Sequence, residues 1–197
     1  MKNKYVYLIV LLFFLVIKNN LLFADPFEIK AEKIFFQNDK NLLLARGGVE
    51  VISDNGIVIN SDEISYDKKN EILKAFGNVI LIDKQKNIRI FGEEIFYEKK
   101  LERIFFNKKN KINFNNEYFL DSENINYFKN LKKISSTKPA YLKDNKNNSY
   151  TLRDFTYSTE SSILTSKKIS FTDNEQNELQ LNTTYIDLLN NKLSGKD

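Results

Sequence analysis

The side chains in this sequence best suited to chemistry recur at a fixed interval. Asp62-Glu63, Glu93-Glu94 and Glu123 each follow a small residue (Ser61, Gly92, Ser122) and precede an Ile-x-Tyr triplet ending at Tyr66, Tyr97 or Tyr127. Two carboxylates converging on one cleft would suit glycoside hydrolysis, and a ring of them would suit calcium. The periodicity argues against both, because groups repeated once per unit are strung along a fold instead of meeting at a point. The Gly-Asp-rich nonapeptides of calcium β-rolls are also absent. These acids read as solvated charges at one corner of each unit, where they discourage edge-to-edge aggregation. Arg46, Lys74, Arg89 and Arg103 are scattered cations, suited to solvent or to phosphate groups.

The remaining composition removes other chemistries. The 197 residues include no His, no Cys and no Trp. That excludes the usual nitrogen- and sulfur-ligated zinc sites, a Cys nucleophile, a Ser-His-Asp relay and a disulfide framework. No Gly-x-x-x-x-Gly-Lys loop is present to hold a nucleotide. No metal, no cofactor and no enzymatic activity are therefore expected.

The formal charge of +4 would ordinarily point to an anionic partner. Its source is local. Lys2 and Lys4 precede an apolar run from Tyr5 to Ile17, followed by Lys18-Asn19-Asn20 and Leu21-Leu22-Phe23-Ala24. A basic start, a short apolar stretch and a small residue at Ala24 read as a secretory signal peptide over residues 1–24, cut before Asp25. The rival reading keeps residues 5–23 as an anchor, at the cost of burying Lys18 and two asparagines. Removing the leader takes three lysines and no acid, leaving a net charge of about +1. No Lys/Arg block remains, so no nucleic-acid partner is expected.

What must position the recurring residues is a unit of about 30 residues. The frame apolar-x-small-acidic-x-Ile-x-Tyr runs over Ile59–Tyr66, Ile90–Tyr97 and Leu120–Tyr127, with an upstream copy at Ile29–Phe36 and weaker copies at Leu152–Tyr157 and Leu164–Phe171. Its last aromatic falls at Phe36, Tyr66, Tyr97, Tyr127 and Tyr157, steps of 30 or 31 residues. A second segment alternates with the first: Ala45-Arg46-Gly47-Gly48-Val49 matches Ala75-Phe76-Gly77-Asn78-Val79. Each unit is thus two strands joined by polar turns such as Ser53-Asp54-Asn55-Gly56 and Asp67-Lys68-Lys69-Asn70. The apolar positions change parity inside the frame: Ile57 and Ile59, then Ser61, then Ile64 and Tyr66. Side chains alternate strictly along a strand, so both sets reach one face only if the strand bulges or bends after the small residue. The spacing predicts an all-β fold of two facing sheets or an open roll, most regular over 27–145 and irregular over 146–197.

The pairing of Ala75-Phe76-Gly77-Asn78-Val79 with Ile59-Asn60-Ser61-Asp62-Glu63-Ile64-Ser65-Tyr66-Asp67 resembles the OstA (organic-solvent-tolerance) domain of the lipopolysaccharide transport family. The rhythm is most like the N-terminal periplasmic domain of LptD-type proteins, and otherwise like LptA or LptC. The resemblance implies an open, V-shaped β-jellyroll over residues 25–197 whose apolar trough cradles acyl chains and hands lipopolysaccharide toward the outer membrane. It implies as partners lipopolysaccharide itself, other OstA-fold proteins paired through edge strands, and an outer-membrane barrel with its lipoprotein plug. It places the chain in the periplasm, associated with the outer membrane. LptD-type domains often carry cysteines that tie them to their barrel, and this chain departs from that pattern. Whether these residues are one domain of a longer chain stays open.

The candidate groove residues are Ile34, Phe36, Val49, Val51, Ile57, Ile59, Ile64, Tyr66, Val79, Leu81, Ile88, Ile90, Ile95, Tyr97, Leu120, Ile125 and Tyr127. On composition alone the same ladder reads as an ordinary β-sandwich interior. The resemblance implies a mixed use, with one end packed and the other open to lipid. The alternative of another class is a structural β-repeat scaffold or adhesin segment with a closed core.

Overall fold

Strands form wherever β-branched and aromatic residues occupy alternate positions, and here those positions run almost without interruption. The computed structural model of the protein describes residues 25–38 and 40–195; the leader peptide expected at 1–24 lies outside them. Among the described residues, fifteen antiparallel strands join one sheet. They are β1 (Phe27–Lys30), β2 (Lys33–Gln37), β3 (Leu42–Ser53), β4 (Ile57–Asp67), β5 (Ile72–Asp83), β6 (Ile88–Glu98), β7 (Arg103–Phe114) and β8 (Tyr118–Phe128), then β9 (Lys133–Ser136), β10 (Ala140–Asp144), β11 (Ser149–Leu152), β12 (Phe155–Ser158), β13 (Ile163–Thr172), β14 (Glu178–Asp187) and β15 (Lys192–Gly195).

The short strands are halves of long ones. β1 pairs with the second half of β3 and β2 with its first half. Likewise β10 pairs with the first half of β8 and β9 with its second, while β11 and β12 take the two halves of β13. The molecule is therefore a ladder of corner-turning rungs, some continuous and some broken at the corner. One wall holds β2, β9, β12 and the matching halves of β3 to β8; the other holds β1, β10, β11 and the remaining halves. These are the two facing sheets expected from the parity change, cut from one folded sheet. In β4, Ser61 is buried, Asp62 and Glu63 are both exposed, and Ile64 is buried again.

The extra residue at each corner sits on the partner strand. Opposite Asp62 lie Gly47 and Gly48 of β3; opposite Glu93 lie Gly77 and Asn78 of β5; opposite Asn124 lie Asn107 and Lys108 of β7. Gly47, Gly48, Gly77, Asn78 and Lys108 all have positive φ, between 46° and 82°. The Gly-Gly and Gly-Asn pairs of the second repeat segment are thus the bulge residues, since Gly and Asn reach the left-handed region at least cost. Sequence reasoning placed the bulge after Ser61, Gly92 and Ser122. The corner is there, with the inserted residue one strand over.

A Cβ on Gly77 would stand 2.3 Å from Asp62 Oδ2 at a φ of +72°, whereas one on Gly48 would meet nothing within 4 Å. Gly77→Ala is expected to lower stability by about 1–3 kcal/mol in urea denaturation, from strain plus the clash. Gly48→Asn is expected to be near neutral. Equal losses at both sites would mean that the corner geometry is not what constrains these glycines.

Candidate functional site

Alternation sends one side chain in two from every rung into the space between the walls, and the corner keeps both halves of each rung on that side. Of the seventeen groove candidates, the fifteen from Val49 to Tyr127 are buried in one continuous apolar cluster. The ladder is joined by Leu73, Ile104, Phe106, Ile112, Phe114, Ile134, Leu142, Leu152, Leu164 and Ile169. The middle of the space between the walls is a packed apolar column.

The tyrosines do more than fill it. At the edge away from the corners, the Tyr127 hydroxyl donates to Asp83 Oδ2 at 2.6 Å, and Lys129 Nζ lies 2.5 Å from the same oxygen. One rung pair earlier, the Tyr97 hydroxyl accepts from Asn55 Nδ2 at 2.6 Å and donates to Glu102 Oε2 at 3.1 Å. The Tyr66 ring meets Phe27 edge-on at 5.0 Å, and the Tyr157 ring meets Phe114 at 4.4 Å. Apart from Tyr97–Glu102, which lies within one wall, each contact joins the end of one wall to the end of the other, so the repeated tyrosine is a seam along the far edge of the roll. Burial raises the Tyr97 phenol to about 12, helped by the Glu102 carboxylate. Burial also raises Tyr118 to about 12, with Asp144, Glu117 and Asp187 adding to it. Tyr66, Tyr127 and Tyr150 are raised further, again mainly by burial.

Ile34 and Phe36 behave differently from the other candidates. They lie opposite Ala45 and Leu43, both inward residues of β3, so they sit on the interior face. Yet they are 40% and 55% exposed, because among the described residues β2 is the last rung of its wall and none lies beyond it. The other end repeats this. Leu179 and Leu181 of β14 lie opposite the inward Phe171 and Ile169, and Leu193 of β15 lies opposite Ile186. Leu179 is 43% exposed, and Leu181 and Leu193 are half-buried. Among the described residues the apolar column is therefore packed in its middle and uncovered at both ends, rather than at one. Leu179, Leu181 and Leu193 were not singled out from the sequence, because the repeat frame has decayed by β14. The Leu-x-Leu alternation could have found Leu179 and Leu181, and nothing comparable marks Leu193.

The recurring acids stay apart, as their spacing required. Asp62 accepts from Asn78 Nδ2 at 2.9 Å across the corner, Glu63 pairs with Arg46 at 3.2 Å, and Glu94 accepts from Asn107 at 3.5 Å. Among the described residues no group of three or more potential ligands could hold a metal ion. Arg103 bonds Asn126 and Glu98 and lies over Phe105 and Phe128, while Lys74 lies over Phe96. These cations decorate the outer surface of the roll. Asp83, fully buried, was the polar group missed; the signal that could have found it is its parity, shared with the inward Val79 and Leu81.

No family model matches the chain, and no curated protein matches it significantly. Among solved structures it is similar to LptH from Pseudomonas aeruginosa, described as the LptA-homologous periplasmic component of the conserved lipopolysaccharide transport device. The identity is 13%, the match covers 72% of this chain and 82% of that one, and the TM-score is 0.29.

Two outcomes are expected at the seam. Tyr127→Phe removes one hydrogen bond to a buried carboxylate and should cost about 1.5–3 kcal/mol in urea denaturation. In alkali, an unfolded tyrosine ionises near pH 10, whereas folded Tyr97 and Tyr118 hold their protons to about 12. Between these values the unfolded chain binds fewer protons, so stability falls as pH rises. Denaturation midpoints at pH 8 and pH 11 should show the drop, and a flat profile would mean the phenols are solvated.

Proposed function

We propose that this chain is a non-enzymatic lipid-handling module of lipopolysaccharide transport, which holds acyl chains along its apolar column and passes them on toward the outer membrane. The observation that carries this reading is the column's uncovered ends. An ordinary β-sandwich closes its core with turns or polar side chains, and a long uncovered apolar edge is a liability that proteins usually mask. Here Ile34 and Phe36 at one end, and Leu179, Leu181 and Leu193 at the other, continue the interior column to the surface. Modules of this shape stacked end to end would make one apolar path. Each buried methylene of an acyl chain contributes about 0.8 kcal/mol, so a path without charge is what such a chain requires.

The partners follow from the same ends. The sides of β2 at one end, and of β14 and β15 at the other, that pair with no strand among the described residues offer backbone groups for β-augmentation by other OstA-fold modules. The resemblance in the Gly-Asn-Val and Ile-x-Ser-Asp segments favours the N-terminal domain of an LptD-type protein, with an outer-membrane barrel and its lipoprotein plug beyond. An LptA- or LptC-like bridge component is the near alternative. The leader read at 1–24 accords with a periplasmic location at the outer membrane. No nucleotide loop occurs in the sequence, so directional flow would draw on an energy source elsewhere. A closed structural scaffold is the second reading, favoured by the full burial of the column's middle.

Photo-crosslinkers placed at Phe36, Ile59 and Leu181 separate the two. Transport predicts lipopolysaccharide adducts from the two ends and, as the walls part, from Ile59. The scaffold predicts none, and no adduct from any of the three positions would end the transport reading.

A further inference from the structure

An open cleft of about 970 Å³ lies over the outer face of the sheet at the corner. Its row runs across four adjacent strands, from Phe91 to Lys111 to Asp121 to Tyr141, each residue directly opposite the next. This row alternates with the core residues Ile90, Ile112, Leu120 and Leu142, so it faces away from the apolar column. A smaller cleft of about 390 Å³ shares Pro139 and Thr151 with the first and continues the trough toward β14.

Two observations define what the cleft would hold. Phe91 and Tyr141 are 38% and 46% exposed, and stand three strand spacings apart, about 14 Å. Between them Lys111 faces Asp121 and, one row nearer the corner, Lys109 faces Glu123, yet neither pair forms a salt bridge.

A wholly apolar ligand would leave the charged groups without partners. An anion would meet as many carboxylates as ammonium groups. A strand would seek a sheet edge, not the middle of a face. A polyol satisfies all the groups at once, because each hydroxyl both donates and accepts and each sugar ring has an apolar face for an aromatic side chain. We propose that this outer cleft binds an oligosaccharide, with rings stacked on Phe91 and Tyr141 and hydroxyls shared among Lys111, Asp121 and the corner groups. The site goes beyond the transport reading, since it lies on the opposite face of the sheet from the acyl path.

Amide NMR titration of the full-length protein with an oligosaccharide freed of its acyl chains from lipopolysaccharide tests the proposal. Saturable shifts are expected at Ile80, Lys111 and Tyr141. Tyr141→Ala should weaken binding about tenfold, the weight of one aromatic contact, while Tyr141→Phe retains it. Crosslinking from Phe36 should be unchanged in both variants, so failure here and failure of the acyl path are read separately. No saturable shift, or the same shifts with inorganic phosphate alone, would overturn the proposal.

Discussion

Everything in this structure depends on a parity constraint. A strand shows alternate side chains to opposite faces, and a sheet folded over on itself must show the same face inward on both sides of the fold. A strand cannot do both without a local change of count, and each rung makes that change at one place. On β4, β6 and β8 the chain turns between a small residue and an isoleucine. On β3 and β5 a left-handed pair absorbs the difference, and on β7 the pair Asn107-Lys108 does so with Lys108 alone left-handed. The cost of positive φ is met mostly by Gly and Asn, and the gain is one apolar side shared by two walls.

The tyrosine seam solves the problem that the corner creates. Two walls hinged on one side splay unless something ties them on the other, and a purely apolar tie would allow them to slide. A phenol combines a large ring for packing with a hydroxyl that demands a directed partner. Tyr97 and Tyr127 find theirs in Asn55, Glu102 and Asp83. Asp83 is tolerable in the interior because Lys129, Tyr127 and the backbone of Lys86 all bond it. The seam runs along the length of the roll but does nothing at its ends, which is why the apolar column meets solvent there.

The fold was legible because its unit repeats. Parity within Ile57–Tyr66 was enough to place the corner, and turns such as Ser53-Asp54-Asn55-Gly56 fell where their chemistry put them. What could not be read was anything decided between rungs. Tyr66, Tyr97 and Tyr127 look like groove liners in the sequence, and only the contact to a residue far upstream marks them as a seam. The inserted corner residue was placed one strand off, because a bulge is a difference between two strands and one strand alone does not reveal it. Leu179, Leu181 and Leu193 escaped because the frame around them has decayed, and Ile34 and Phe36 looked like every other inward residue because exposure at an end rung is a property of the last neighbour.

The reach of the seam has a consequence for how the chain acquires its structure. The Tyr97 and Tyr127 ties span 42 and 44 residues, little more than one repeat. Each rung is completed by residues synthesised shortly before it, so contact order stays modest for an all-β protein and folding can propagate from one end. A chain threading amino-terminus first through a narrow passage could zip each rung shut as soon as it emerged. It would never need to hold the whole length unfolded, with its sticky strand edges bare, on the far side.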